Sequence, residues 1–490
     1  MPQQKALIIG AGIAGIAAAI RLAVKGYAVE VFEANSYAGG KLSEFEQEGY
    51  RFDAGPSLFT MPQYVDELFT LAGKDPAQYF SYKKLPVVCH YFYPDGTHLK
   101  AYADPDKFAA EANAQTGEPV NNIQNYYRNS NRIYDITNHV FLERSLHRLK
   151  TYLSKQTVKS ILRLFQIDAF RTMHQANQSF YQDKRLVQFY DRYATYNGSN
   201  PYKAPATLNV IPHLEQHFGA YFPDGGMYSI TGSLVKLAQD LGVQFHYGQP
   251  VEEIVVKDGK AEGVKVKGVL HRADIVVSNM DVWFTYRKLL KNYLRLFPEN
   301  ILNQERSSSA LIFYWGIKQP FPQLDLHNIF FSANYEAEFN AIWKEKTIYS
   351  DPTVYLNISS KFKADDAPEG CENWFTMINV PANTGQDWDQ LIAEARQNII
   401  QKLSAQLGQD IALLIVSESI LDPRSIESKT SSYQGSLYGT SSNSQFAAFL
   451  RHANRSSKVK NLYFCGGSVH PGGGIPLALL SAKIVAEWVG

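Results

Sequence analysis

The sequence predicts an α/β fold that begins with a Rossmann-like dinucleotide-binding unit, and three observations carry that expectation. Residues 5–33 read as strand, G-x-G-x-x-G turn, helix, strand and acid, in that order. A second glycine-rich segment near 461–477 follows one more strand and opens one more helix. Between them lie short β-branched and aromatic runs broken by Gly, Pro, Asn and Asp, the pattern of a strand-rich region.

The first unit is coherent residue by residue. Lys5 to Gly10 (KALIIG) is apolar and β-branched and is ended by glycine, as a buried strand is. Gly10, Gly12 and Gly15 supply the tight turn, the close approach of backbone to a pyrophosphate, and helix–strand packing, with Ala14 between the last two. Ile16 to Val24 is an Ala-rich helix closed by Gly26, and its amino-terminal N–H groups face the phosphates. Tyr27 to Phe32 is the second strand, and Glu33 at its end accepts hydrogen bonds from a ribose diol. Gly39-Gly40-Lys41 then offers a second glycine turn with a basic residue, suited to phosphate or else simply solvated, and Tyr50 to Ser57 follows.

Composition bounds the rest. The 490 residues contain 48 Lys+Arg and 47 Asp+Glu, a formal charge of +1, with no global pull on nucleic acid. Tyr (30), Phe (28) and Trp (6) make the chain 13% aromatic against 19% charged, which excludes disorder and asks for a large core or an apolar site. Three cysteines, Cys89, Cys371 and Cys465, are too few and too far apart for a disulfide framework or a zinc cluster. Length alone suggests roughly two or three domains. Ala6 to Ile20 is apolar enough to mimic a secretory core, but its glycines and Glu33 argue otherwise. No later run reaches the ~18 apolar residues that a membrane span needs, so the expectation is a cytoplasmic protein at most peripherally attached to a membrane.

The remaining motifs point to one family. Ala38 to Lys41 and Tyr50 to Ser57, with Leu58 beside them, resemble the FAD-binding start of the flavin amine oxidase and phytoene desaturase superfamily, with Lys41 where the family usually has Arg. That exchange keeps the charge and loses the planar fork. Asp224-Gly225-Gly226-Met227 precedes a helix at 229–241, and Val243 to Tyr247, Val251 to Val256, Val264 to Val266 and Asp274 to Ser278 follow as strands. In the family the Val251 segment lies beside the adenine, and Val277-Ser278-Asn279 returns the chain to the cofactor domain. Tyr196 to Ala206, Pro212 to Glu215, His327 to Ser332, Asp351 to Tyr355 and Gly435 to Gly439 (with Leu437) also match. Gly466, Gly467 and the run His470-Pro471-Gly472-Gly473-Gly474-Ile475-Pro476-Leu477 look like the bacterial carotenoid desaturase signature, and most resemble the hydroxycarotenoid 3,4-desaturase or gamma-carotene desaturase subgroup. The resemblance spans about residues 5–490 and is weakest near 105–190.

That resemblance implies a fold and a function. The expected fold is α/β: a discontinuous Rossmann-like FAD-binding domain (1–75, 225–285, 430–490), a β-rich substrate domain (76–105, 200–224, 286–429) and a helical lid or membrane-contact segment (106–199). The implied activity is FAD-dependent introduction of a C=C bond into a carotene, most specifically at C-3,4 of a 1-hydroxycarotenoid such as 1'-hydroxy-γ-carotene. Phytoene desaturation, cis–trans isomerisation and saturation on the same scaffold stay open, as do an amine oxidase and an escort-type lipid binder. Reduced flavin would be reoxidised by a membrane quinone or by oxygen. Hydride would leave one carbon and a proton its neighbour, so placement and apolar walls matter more than a strong base. His470 is the candidate base; its alternative role is to anchor the turn before Pro471.

Residues 141–171 hold a basic amphipathic pattern. Arg144, Arg148, Lys155, Lys159 and Arg163 fall within about 100° on a helical wheel, at ~100° per residue. Leu142, Leu146, Leu149 and Leu153 form one apolar stripe; Val158, Ile161, Leu162 and Phe165 form another. Two helical segments, or one kinked near Ser154, are expected to meet anionic lipid. The plainer reading is a solvated surface helix.

Overall fold

The computed structural model describes residues 3–138, 144–148, 151, 155–163, 166–444 and 451–489. Its organising element is a five-stranded parallel sheet ordered Gln244–His246, Ala28–Phe32, Lys5–Ile9, Ile275–Ser278, Leu462–Phe464. Side chains alternate across it, as strand geometry requires. Ala6 and Ile8 of the central strand pack against the helices Ile13–Val24, Tyr228–Asp240 and Ile475–Trp488. Leu7 and Ile9 pack on the opposite face, against the antiparallel sheet Glu253–Lys257, Lys260–Val266, Val269–Arg272 and residues 282–302. The carboxyl ends of Lys5–Ile9, Ala28–Phe32 and Ile275–Ser278 are in register, with Ile9 opposite both Phe32 and Ser278. Loops leaving that edge therefore share one crevice, the usual place for a ligand in such sheets.

The second large element is a seven-stranded sheet ordered Ile415–Leu421, Ser309–Ile317, Glu372–Val380, Val354–Asn357, His327–Phe330, Val87–Phe92, His98–Tyr102. Only its His327–Phe330 and Val87–Phe92 pair is parallel. Leu311, Phe313, Trp315 and Ile317 face the long helix Trp388–Leu407. Ala310, Ile312 and Tyr314, one position out of phase, face the other way and become a cavity wall. Helices Pro105–Thr116, Val120–Thr137, Met173–Phe180, Lys184–Asp191 and Ile211–Phe218 cover the far end.

One buried ion network ties the strand pair Glu44–Gln47 and Tyr50–Asp53 to the turn at Asp366 and to the helix Tyr228–Asp240. The Arg51 guanidinium contacts Glu44, Asp53 and Asp366 at 2.5, 2.8 and 3.1 Å. The Asp53 carboxylate also accepts from the backbone N–H groups of Met227 and Tyr228, both at 3.0 Å, and so anchors the start of the helix Tyr228–Asp240.

Several element limits differ from expectation. The closing helix begins at Ile475, inside the glycine-rich segment expected to precede it, because Pro476 sits in its first turn, where its missing N–H costs nothing. Val251 precedes its strand, which starts at Glu253. The basic stretch departs further. Residues 144–148 are not helical, and Arg148 stacks over the Trp488 ring at 5.2 Å, so Arg144 and Arg148 do not extend a common helical face. Lys155–Leu162 is a helix, with Lys159 and Val158 exposed. Arg163 donates to Gln166, and Arg171 grips Asp168, the one acid of the stretch. Leu142, Leu149, Leu153, Ser154 and Phe165, and the side chains of Lys155, Ile161 and Leu162, lie outside the described residues.

Candidate active site

The crevice at the edge of the parallel sheet opens into one cavity of about 1550 Å³. Sites for drug-sized ligands run at roughly 300–1,000 Å³, so this volume fits a large cofactor with a long second molecule. Its wall contains Gly10, Gly12, Ala14, Glu33, Gly40 and Lys41; Gly55, Pro56, Ser57 and Leu58; Val251, Asn279 and Leu437; and Gly467, His470, Gly474, Ile475, Pro476 and Leu477. Gly15 is not in the wall. A Cβ there would lie 2.2 Å from the Gly10 carbonyl oxygen, so its place is the helix–strand contact.

At the narrow end, Asn279 organises the glycines. Its Nδ2 donates to the Cys465 carbonyl at 3.2 Å, and a Cβ on Gly12 would come within 2.5 Å of its Oδ1. Glu33 is 7% exposed, and its Oε2 accepts from the Ala11 N–H at 2.7 Å. Its Oε1 accepts from the Asn35 backbone at 2.8 Å, and a carboxylate has acceptor capacity left for a diol. Two helices, Ile13–Val24 and Ile475–Trp488, start at this cavity with glycine N-caps and no side-chain cap. Their first N–H groups and their dipoles are therefore available to oxygen atoms of a ligand. A glycine cradle, an acid at the second strand end and two open helix starts suit an adenine dinucleotide carrying a flat, carbonyl-bearing ring.

Lys41 is no solvated surface lysine. Enclosed in the wall, its Nζ donates to the carbonyls of Ser436 and Leu437 at 3.1 and 2.9 Å. Desolvation pushes the ammonium down to about 8, and Asp281 acts in the opposite direction.

The wide end is built from side chains. Ile312, Tyr314, Phe375 and Met377 of the large sheet, with Ile329, Ile211 and Leu214, make an apolar wall. Set into it are two polar groups. The Arg192 guanidinium donates to the Tyr91 hydroxyl at 2.6 Å and lies over the rings of Tyr91, Tyr193 and Tyr196. Tyr193 and Tyr196 in turn donate to the Glu215 carboxylate. Beside these, Ser57, Tyr355 and His327 form a hydrogen-bonded row. Burial, with Arg192 nearby, pushes the His327 imidazole down to about 3, so it is neutral. Neither group is visible in a sequence motif: Ser57 and Tyr355 stand 298 positions apart, and Tyr91 and Arg192 stand 101 apart.

His470 is 1% exposed. Its ring N–H at Nε2 donates to the Arg144 carbonyl at 2.9 Å, which leaves Nδ1 with a lone pair and no partner among the described residues. Burial pushes it down to about 4.

Residues 13–489 match the model of the flavin-containing amine oxidoreductases. The chain belongs to that family. A family relative, the 1-hydroxycarotenoid 3,4-desaturase of a Flavobacterium, is 53% identical over 99% of both chains. The 4,4'-diapolycopene oxygenase of a Methylomonas is 34% identical over 99% of this chain and 97% of its own. A crystal structure of an oxidoreductase from Methanosarcina mazei superposes with a TM-score of 0.64 at 15% identity, covering 99% of this chain and all of the other, a likeness of fold. Membership makes this chain an FAD-dependent oxidoreductase with the family's α/β FAD-binding fold, as the sequence predicted.

Proposed function

We propose that the chain is an FAD-dependent carotenoid desaturase, and that it introduces the C-3,4 double bond into a carotenoid bearing a C-1 hydroxyl. The observation that carries this reading is the continuity of one cavity from the glycine cradle to an apolar, aromatic wall. The 53% identical 1-hydroxycarotenoid 3,4-desaturase supports the position of the bond. When bound, FAD accepts the hydride equivalent that leaves the substrate, while a neighbouring carbon gives up a proton.

The residues divide the labour. Gly10, Gly12, Ala14 and the helix start behind them would receive the pyrophosphate, with Gly15 packed behind them, and Glu33 would take the adenosine ribose. Val251 would meet the adenine, and Gly40 and Lys41 would approach from the second turn. Gly55 to Leu58, Asn279, Leu437, Gly467 and Gly474 to Leu477 would hold the flavin ring. The wall of Ile312, Tyr314, Ile329 and Phe375 holds the polyene and keeps water out. His470 offers a bare Nδ1 as proton acceptor; a His470→Ala holoenzyme with full turnover would remove it from that role.

We assign the substrate's entry to the described cavity-lining residues of the basic stretch. Leu146, Ile167, Ala169 and Phe170 line the cavity, and Phe170 is 85% exposed. An exposed aromatic at the mouth and an exposed Lys159 in the same stretch fit a cytoplasmic enzyme docked on an anionic bilayer, with a membrane quinone or oxygen as final electron acceptor. Among the described residues no helix is long and apolar enough to cross a membrane.

The deciding experiment is anaerobic. Mixing holoenzyme with 1'-hydroxy-γ-carotene is expected to bleach the oxidised flavin and give a polyene lighter by two hydrogens. An isomerase would return the flavin unchanged and a product of equal mass, and that result would overturn the reading.

A further inference from the structure

The hydroxyl row in the cavity has a direction. The Asn357 Nδ2 donates to the Leu326 carbonyl at 3.0 Å, which fixes the amide's orientation. The same Nδ2 lies 3.1 Å from the His327 Nδ1, so two donors would collide unless that nitrogen is bare. The Tyr355 hydroxyl, 2.7 Å from the same nitrogen, therefore donates to it. Ser57, 2.7 Å from the Tyr355 oxygen, must then donate to Tyr355. Each hydroxyl proton is committed in one direction, and among the described residues the Ser57 Oγ ends the row with no donor to its lone pairs. Ser57 and Tyr355 are each only partly buried and both line the cavity. By contrast, the Arg192–Glu215 group is closed on itself by tyrosine hydroxyls.

Polar atoms in an apolar wall carry a desolvation cost that a hydrocarbon cannot offset. A substrate with one hydroxyl can. The hydroxyl of a 1-hydroxycarotenoid stands only two carbons from the bond that becomes unsaturated, so its receptor belongs beside the flavin-holding loop. Ser57 is in that loop, directly after Gly55 and Pro56.

We propose that the Ser57–Tyr355 pair, polarised by His327 and Asn357, accepts the tertiary hydroxyl of the substrate and so selects end-hydroxylated over unmodified carotenoids. The substrate O–H donates to the Ser57 oxygen. This assignment rests on the desaturase reading above and deepens it to a specificity site. It makes no claim on the hydride or proton steps.

The test compares kcat/KM for 1'-hydroxy-γ-carotene and γ-carotene, read as anaerobic flavin bleaching, in wild type, Tyr355→Phe and Ser57→Ala holoenzymes. One satisfied hydrogen bond predicts a wild-type preference of about tenfold for the hydroxylated substrate, carried mainly in KM. Both variants are expected to bring that ratio to within about twofold. The phenylalanine keeps the ring that fills the wall, and the FAD content of each variant reports its folding. A variant pair that retains the wild-type ratio overturns the proposal, as does a wild type that bleaches equally with both substrates. A wild type that bleaches with neither overturns the desaturase reading itself, and Ser57→Ala that loses FAD with its ratio intact places Ser57 on the cofactor alone.

Discussion

The two ends of the cavity are made from different material. The narrow end is mostly backbone: glycines and helix starts hold positions to within a Cβ of collision, with the side chains of Glu33, Lys41 and Asn279 set among them. The wide end is side chains: branched and aromatic residues from the seven-stranded sheet and the helix Ile211–Phe218, with a few hydroxyls and the Arg192 guanidinium set among them. A cofactor that never changes is met by parts that cannot change. A substrate that varies between relatives is met by parts that exchange one at a time without disturbing the backbone.

That contrast can be broken at several points. The strongest perturbation severs the buried ion network around Arg51. Arg51→Leu leaves Asp53 buried without its cation and Asp366 with Lys363 alone, and thermal unfolding should report a loss of about 3–5 kcal/mol. Gly15→Ala attacks the narrow end alone. The added methyl meets the Gly10 carbonyl, and we expect about 1–3 kcal/mol of overpacking, read by chemical denaturation, together with depleted FAD.

A milder test uses pH. In the apoprotein Lys41 titrates at about 8, below its ordinary value, so it is charged below that pH and neutral above it. A phosphate favours the charged form. FAD binding therefore requires proton uptake above pH 8, and affinity should fall by about tenfold per pH unit there. Lys41→Met should give a flat profile; an equally sloped profile in that variant would take Lys41 out of the phosphate site. The gentlest change lies outside both ends. Lys159→Glu should weaken partition onto anionic vesicles by roughly 1 kcal/mol. Its thermal stability should shift by no more than about 0.5 kcal/mol.

The narrow end was legible in the sequence because its parts are local. Lys5 to Glu33 spans one strand, one helix and one strand, and each glycine has a steric reason that spacing alone reveals. The closing run from Gly466 to Leu477 is readable for the same reason. The wide end was not. Tyr355 sits in a short strand, and nothing in its neighbours says that its hydroxyl meets Ser57 on one side and His327 on the other. Arg192 stands four positions before the matched run that starts at Tyr196, and its tyrosine enclosure is assembled by tertiary folding. The basic stretch shows the opposite failure. A helical wheel assumes a helix, and residues 144–148 do not form one.

The parallel sheet also has a history written into its order. Its first strand, Lys5–Ile9, is the first to leave the ribosome, while the edge strand Leu462–Phe464 and the helix Ile475–Trp488 that shields it come last of all its parts. Asn279 waits between them, since its amide needs the Cys465 carbonyl. During translation the amino-terminal unit therefore stands as an open half-shell until that strand and helix emerge, and the complete cradle closes on a flavin only afterwards.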